Sequence, residues 1–253
     1  MKKNLYFLVI VLLVSTAQVN AQNWRSAFRS GYMRLGINTL GDNLDPALSP
    51  VQNVFDGRYG ASTGYVFEFG KVFYFRKTTQ EKQLINFGLD WTILSFNYNK
   101  MDKWDTYARE SNGGDYTIDG TKIAAAISSK LGPVVSFNPT EKVVIDFRFQ
   151  IAPVFRFYDL DYIDHYEQPN ERYFSFVNYE AEEGDEDYDG EAIKNRIAFG
   201  VAKSFGITLR RKAIGIALDY ISGDVKSNYE SETSFGKAKI PAKNFQVKLS
   251  LTL

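Results

Sequence analysis

The 253 residues carry 30 basic and 30 acidic side chains, a single histidine and no cysteine. That balance leaves no basic patch pointing to nucleic acid, and without cysteine neither a lipoprotein anchor nor a disulfide framework is possible. Hydrophobic residues reach 44% and aromatics 15%, yet past the leader no apolar run is long enough for a membrane helix, because apolar positions alternate instead of clustering.

The chain opens with Lys2 and Lys3, continues with an unbroken apolar run at 5–14 and reaches the small-residue site Val19-Asn20-Ala21. These three parts in order predict a signal peptide over 1–21, cleaved after Ala21, and a single mature domain over 22–253. The apolar run falls short of the roughly 17 residues needed to cross a bilayer as a helix.

Eight segments with a period of two follow, the period that sends successive side chains to opposite faces of a strand. The first, 29–40, carries Met33, Leu35 and Ile37 on one face, with Arg34 and Asn38 opposite. The second, 60–75, presents Tyr65, Phe67, Phe69, Phe73 and Phe75. The third, 83–99, alternates from Ile85 to Ile93 and then changes phase to Leu94, Phe96 and Tyr98, a one-residue shift that predicts a bulge. The fourth, 121–137, runs Ile123, Ala125, Ile127, Leu131, Val135 and Phe137.

In the fifth, Val143, Ile145, Phe147, Phe149, Ile151, Phe155 and Phe157 alternate against Asp146, Arg148, Gln150 and Arg156, so it cannot be buried on both faces. The sixth, 194–210, carries Ile197, Phe199, Val201, Phe205, Ile207 and Leu209, the seventh Ile214, Ile216, Leu218 and Tyr220, and the eighth, 244–253, Phe245, Val247, Leu249, Leu251 and Leu253.

Connections after the second, fourth and sixth strands are short, whereas those after the first, third, fifth and seventh run to about 17–35 residues, the alternation of periplasmic turns and external loops in transmembrane barrels. A soluble barrel or sandwich would give no reason for that alternation. The reading is therefore all-β: a transmembrane antiparallel up-and-down β-barrel of eight strands with short periplasmic turns and long extracellular loops, in the cell outer membrane. Tyr65, Tyr98, Tyr158 and Tyr220 fall at the outer strand ends, where amphipathic rings favour the headgroup layer. Lys203 falls on the lipid-facing parity, so it must snorkel unless a bulge resets the phase. Pro133 and Pro153 remove ladder donors, which places each at a bulge or beyond the membrane-spanning part of its strand.

Taken together, the leader, the eight alternating strands, the short-turn and long-loop order and the alternating C-terminal strand resemble the small eight-stranded outer-membrane β-barrel proteins, the OmpA/OmpX-like superfamily including PorT-like barrels. The resemblance covers 29–253. It implies recognition of the terminal strand by the barrel-assembly machinery, with Leu253 in place of the usual final aromatic, and roles ranging from adhesin and structural anchor to secretion accessory and lipid-modifying enzyme. Fold alone does not choose among these.

Lumen parity collects Arg34, Glu68, Asp90, Asp146, Arg148, Arg156, Arg196, Asp219 and Lys248. Eight strands leave room only for side chains, and buried charges persist when paired, so this set reads as a packed ionic plug with no cofactor. His165, the only histidine, lies in the loop after the fifth strand beside Asp164 and Glu167, but no spacing places a nucleophile with it. The same loop holds 13 acidic residues between Asp159 and Glu191 against Arg172 alone. Within it, Asp185, Asp187, Asp189 and Gly190 match the first half of an EF-hand-like calcium loop, D-x-D-x-D-G, while the twelfth position is Arg196 instead of Glu. Loose Ca2+ attraction to solvated charge is the expectation there.

The expected function is non-enzymatic: envelope structure, partner binding or secretion accessory, with outer-membrane lipid around the wall and a protein or glycan partner at the external loops. The alternatives are a barrel-embedded lipid A deacylase or acyltransferase and a small channel.

Overall fold

The computed structural model describes residues 28–75, 84–111, 116–140, 142–164, 171–177, 191–231 and 234–253. The segment 1–21 expected to be a signal peptide, His165 and Asp185, Asp187 and Asp189 lie outside them. Among the described residues nine strands form, β1 (Gly31–Leu40), β2 (Gly64–Tyr74), β3 (Ile85–Lys100), β4 (Tyr116–Thr140), β5 (Val143–Asp164), β6 (Glu171–Val177), β7 (Glu191–Arg211), β8 (Ile214–Ser231) and β9 (Ser234–Thr252), with two short helices, α1 (Pro50–Phe55) and α2 (Trp104–Ser111). Eight of the strands close a ring in which every pair is antiparallel, because β5 also pairs directly with β7 and β9 returns to β1. The ninth, β6, is a short insert at the outer end, antiparallel to β5 and parallel to β7.

Closure has a measurable stagger. From Ile37, successive partners one way round are Tyr65, Tyr98, Ala125, Phe157 and Ile197, and the other way Val247, Leu218 and Ile207. The two paths meet on β7 ten residues apart, as a tilted, closed sheet requires.

The side chains are distributed inside out. Leu35, Phe147, Phe155, Phe205 and Ile216 are about half exposed, while Glu68, Asp90, Lys130 and Lys248 are buried. A water-soluble fold would lose most of its hydrophobic stabilisation in this arrangement; a wall facing hydrocarbon gains it. Each polar backbone group in lipid also needs an internal partner, which ring closure supplies.

The β3 phase change is a bulge at Ile93: registers with β2 and β4 both slip there. The prolines behave differently from expectation. Pro133 pairs with Leu89 and Pro153 with Val201, both exposed within their strands and away from any register shift. The β4–β5 pairing instead lapses beside each of them, on either side of the pair Leu131 and Ile151. A ring nitrogen facing that seam removes one donor without changing the register. Lys203 likewise keeps its parity; it is exposed, and β7 pairs with β5 and β8 through it without a slip.

Strands reach further out than the apolar periodicity indicates. The expected long loop after the seventh strand is a hairpin, since β8 and β9 pair out to Ser231 and Ser234. The connections after β1 and β3 turn inward instead of outward. In the first, Ser49 Oγ accepts from Gln52 N at 3.3 Å while Gln52 Oε1 accepts from Ser49 N at 3.0 Å, a capping box that, with Pro50 opening the helix, fixes the start of α1.

Candidate functional site

The lumen is filled in layers. Nearest the short-turn end, Arg210 Nε donates to Asp146 Oδ2 at 3.0 Å, Ser136 Oγ donates to the other oxygen at 2.5 Å, and Arg210 Nη2 reaches Tyr74 Oη at 3.1 Å. Asp146 and Arg210 come from the neighbouring strands β5 and β7, whose inward parity brings them together.

The next layer is the charge network itself. Glu68 accepts from Lys130, from Lys248 Nζ at 2.7 Å and from Ser95 Oγ at 3.0 Å. Asp219 accepts from Arg148 Nη2 at 2.7 Å and from Lys248, with Lys130 Nζ at 3.9 Å. Asp90 accepts from Tyr32 Oη at 2.5 Å and faces Arg148 Nε at 3.7 Å and Arg34 Nη2 at 3.9 Å. Arg34 also lies 3.6 Å from Glu68, its guanidinium carbon 3.7 Å above the Tyr32 ring. Four cations thus share three carboxylates across seven strands. In so low a dielectric each carboxylate needs several cationic neighbours to remain charged.

Above the charges lies a belt of amides. Asn38 donates to Asn99 Oδ1, Gln246 Nε2 reaches Asn97 Oδ1 at 2.8 Å and Asn38 Oδ1 at 3.3 Å, and Lys248 Nζ donates to Gln246 Oε1 at 2.9 Å, joining the two layers.

The outer mouth is closed by an apolar core. Tyr59, from the connection before β2, stacks on Tyr158 of β5 at 5.4 Å and 7°, and Trp104 of α2 donates from Nε1 to Tyr59 O at 2.9 Å. Trp104 meets Tyr107 and Tyr162 edge-on at 5.4 and 6.2 Å, and Val54, Leu160, Ile193, Val225 and Ile240 pack in the same cluster. The Tyr59 hydroxyl donates to Pro241 O at 2.6 Å and accepts from Tyr158 Oη at 3.2 Å. Burial, then the neighbouring Tyr158, push the Tyr59 phenol well above its ordinary range, so it stays the protonated donor.

Of the charges singled out by parity, Arg34, Glu68, Asp90, Arg148, Asp219 and Lys248 meet in one network and Asp146 lies in the layer beside it. Arg156 is buried too, but it hydrogen-bonds Tyr158 under the aromatic core. Arg196 sits outside the lumen network, partly exposed at the rim, with Asp159 Oδ1 at 3.0 Å and Asp161 Oδ2 at 3.7 Å; β7 has by then risen past the lumen. Tyr158 does not join an outer aromatic belt: its even position in β5 turns it inward, whereas Tyr65 and Tyr220 are exposed. Lys130 and Arg210 were missed although both share the inward parity of their strands. The two loops that supply Tyr59 and Trp104 offered only one local signal, the Ser49-to-Gln52 capping box.

No family model matches the chain, and no characterised protein matches it in sequence. Among solved structures it is similar to Ail, the attachment invasion locus protein of Yersinia pestis, with 10% identity over 88% of this chain and 99% of that one and a TM-score of 0.35. It is similar as well to OprG from Pseudomonas aeruginosa, with 10% identity over 91% and 98% and a TM-score of 0.37, and to the E. coli outer membrane protein W, with 12% identity over 89% and 98% and a TM-score of 0.34. Likeness at that level says nothing of what this chain does. Its own geometry is more telling: a closed antiparallel ring with an apolar wall and a buried ionic interior is a barrel built to span an outer membrane.

Proposed function

We propose that the protein is a non-conducting, non-enzymatic outer-membrane barrel that works through its outer end and its wall, in envelope structure, partner binding or secretion accessory. The observation carrying this reading is the double closure of the lumen, by seven interlocked charges around Glu68, Asp90 and Asp219 and by the Tyr59–Trp104–Tyr158 core above them. A solute would have to break both. The partner would be a protein or a glycan at the external connections, with the barrel-assembly machinery reading the C-terminal strand.

Planar-bilayer recordings test this: the purified protein should give no steady single-channel current, and large, sustained currents would overturn it. Assay on purified lipid A tests the enzymatic alternative, with no deacylation or acyl transfer expected. For the acidic connection carrying Asp185, Asp187 and Asp189, unselective cation attraction is the reading, so Mg2+ should match Ca2+ at constant ionic strength in a melting titration.

A further inference from the structure

The apolar wall is not equally tall around the barrel. Strands β7 and β8 leave one tight turn at Lys212 and Ala213, so their lower ends are level. On β7 the outward apolar residues run from Leu209 to Ile197, interrupted only by Lys203; on β8 they run from Ile214 to Tyr220 and stop. At ~2.5 Å of height per residue, from a rise of ~3.3 Å tilted by ~40°, the β7 run stands about 30 Å tall and the β8 run about 15 Å, against a usual band of about 25 Å. On β9 the outward run ends likewise at Phe245, the direct partner of Tyr220.

Lysines begin where that short wall ends. Continuing outward on the same face come Ser222 opposite Lys243, Asp224 opposite Pro241, Lys226 opposite Lys239 and Asn228 opposite Lys237, with Lys203 of β7 beside Ser222. All five lysines are exposed, and Asp224 stands among them on the same face. Like charges placed directly opposite destabilise a sheet. Lys226 and Lys239 do so with Lys237 and Lys243 two or four residues away, an arrangement that an anion would relieve.

We propose that the outer ends of β8 and β9 form a binding site for a phosphorylated lipid headgroup of the outer leaflet, drawn toward the membrane centre beside a shortened apolar wall. Lys226, Lys239 and Lys243 are its principal contacts, with Lys203 and Lys237 at its edges. A lysine ammonium is a point charge suited to phosphate, and the short wall brings the headgroup layer down to the level where these ammonium groups stand. The site rests on the outer-membrane reading above and deepens it, naming the lipid that the wall selects.

The test uses the full-length protein inserted in phosphatidylcholine vesicles with or without diphosphorylated lipid A, followed by detergent exchange and native mass spectrometry of retained lipid. The wild type should retain lipid A, K226Q/K239Q should retain at least about tenfold less, as loss of two near-surface lysines implies, and K226R/K239R should retain it. Equal retention by the wild type and the glutamine variant overturns the site. So does a result in which inorganic pyrophosphate displaces the lipid completely at equal concentration, which would make the ligand a free phosphate, or in which only a sulfated polysaccharide binds. Heat-modifiable gel mobility, read on the same samples, separates the two levels: its loss in the wild type defeats the membrane reading, whereas an inserted barrel without lipid preference defeats this site alone.

Discussion

The inner and outer halves of the lumen are sealed by opposite means. Near the short turns, charges delivered entirely by strands interlock across the barrel; near the mouth, aromatic side chains delivered largely by connections pack as a conventional hydrophobic core. The two kinds of seal fail differently. In the charge network the penalty for losing one partner is set by what is left unpaired, since the remaining ion cannot recover its water. In the aromatic cap the penalty follows the area and volume removed.

The largest expected effect therefore comes from a carboxylate. Asp219 serves Arg148, Lys248 and Lys130 at once, so D219N should cost about 3–5 kcal/mol, the scale for breaking a buried ion pair, measured by denaturant unfolding of the lipid-embedded barrel. Next is W104A, which empties the middle of the cap. About 3 kcal/mol is expected, concentrated at the mouth, so proteolysis at the outer connections should accelerate while the heat-modified gel shift persists. If W104A instead dissolved the gel shift, the cap would be holding the whole barrel and the division into two seals would fail.

A cation should matter less than a carboxylate. Four cations share three carboxylates, so R148L leaves Asp219 with Lys248 and Lys130 and Asp90 with Arg34. The expected loss is about 1.5–3 kcal/mol, that of a charge-assisted hydrogen bond. A loss equal to that of D219N would mean the network has no cation excess to spare.

The difference between the halves also explains what was legible in the sequence. Strand parity alone places Glu68, Asp90, Asp219 and Lys248 inside, because a one-residue slip would exchange the two faces and expose each of them to lipid. The same parity would have found Lys130 and Arg210. The Ile93 bulge showed as a phase change for the same reason. Tyr59 and Trp104 had no such marker. They reach the lumen because their connections fold back, and whether a loop turns inward depends on tertiary packing that no local period records. The lengths of β8 and β9 were hidden similarly: beyond Tyr220 and Phe245 the outward residues are polar, so the amphipathic pattern ends while the hydrogen-bonded ladder continues to Ser231 and Ser234.

The smallest expected effect probes the point where the cap is pinned to the wall. Tyr59 donates to Pro241 O at 2.6 Å and accepts from Tyr158 Oη at 3.2 Å, and Y59F should cost about 1–2 kcal/mol, the loss of two neutral hydrogen bonds, with ring stacking on Tyr158 retained. Its pH dependence distinguishes this bond from mere packing. The folded phenol is held well above its ordinary value, first by burial, so the neutral form is favoured in the folded state. Below about pH 10, the ordinary tyrosine value, both states are protonated and the contribution is complete. As pH rises past that value the unfolded chain releases its proton first, so it binds fewer protons than the folded one and stability falls. Unfolding free energies of wild type and Y59F should therefore run parallel from neutral pH to about pH 10 and converge above it, the wild type falling more steeply. Parallel curves through pH 11 would show that Tyr59 titrates alike in both states, leaving the outer seal to packing alone.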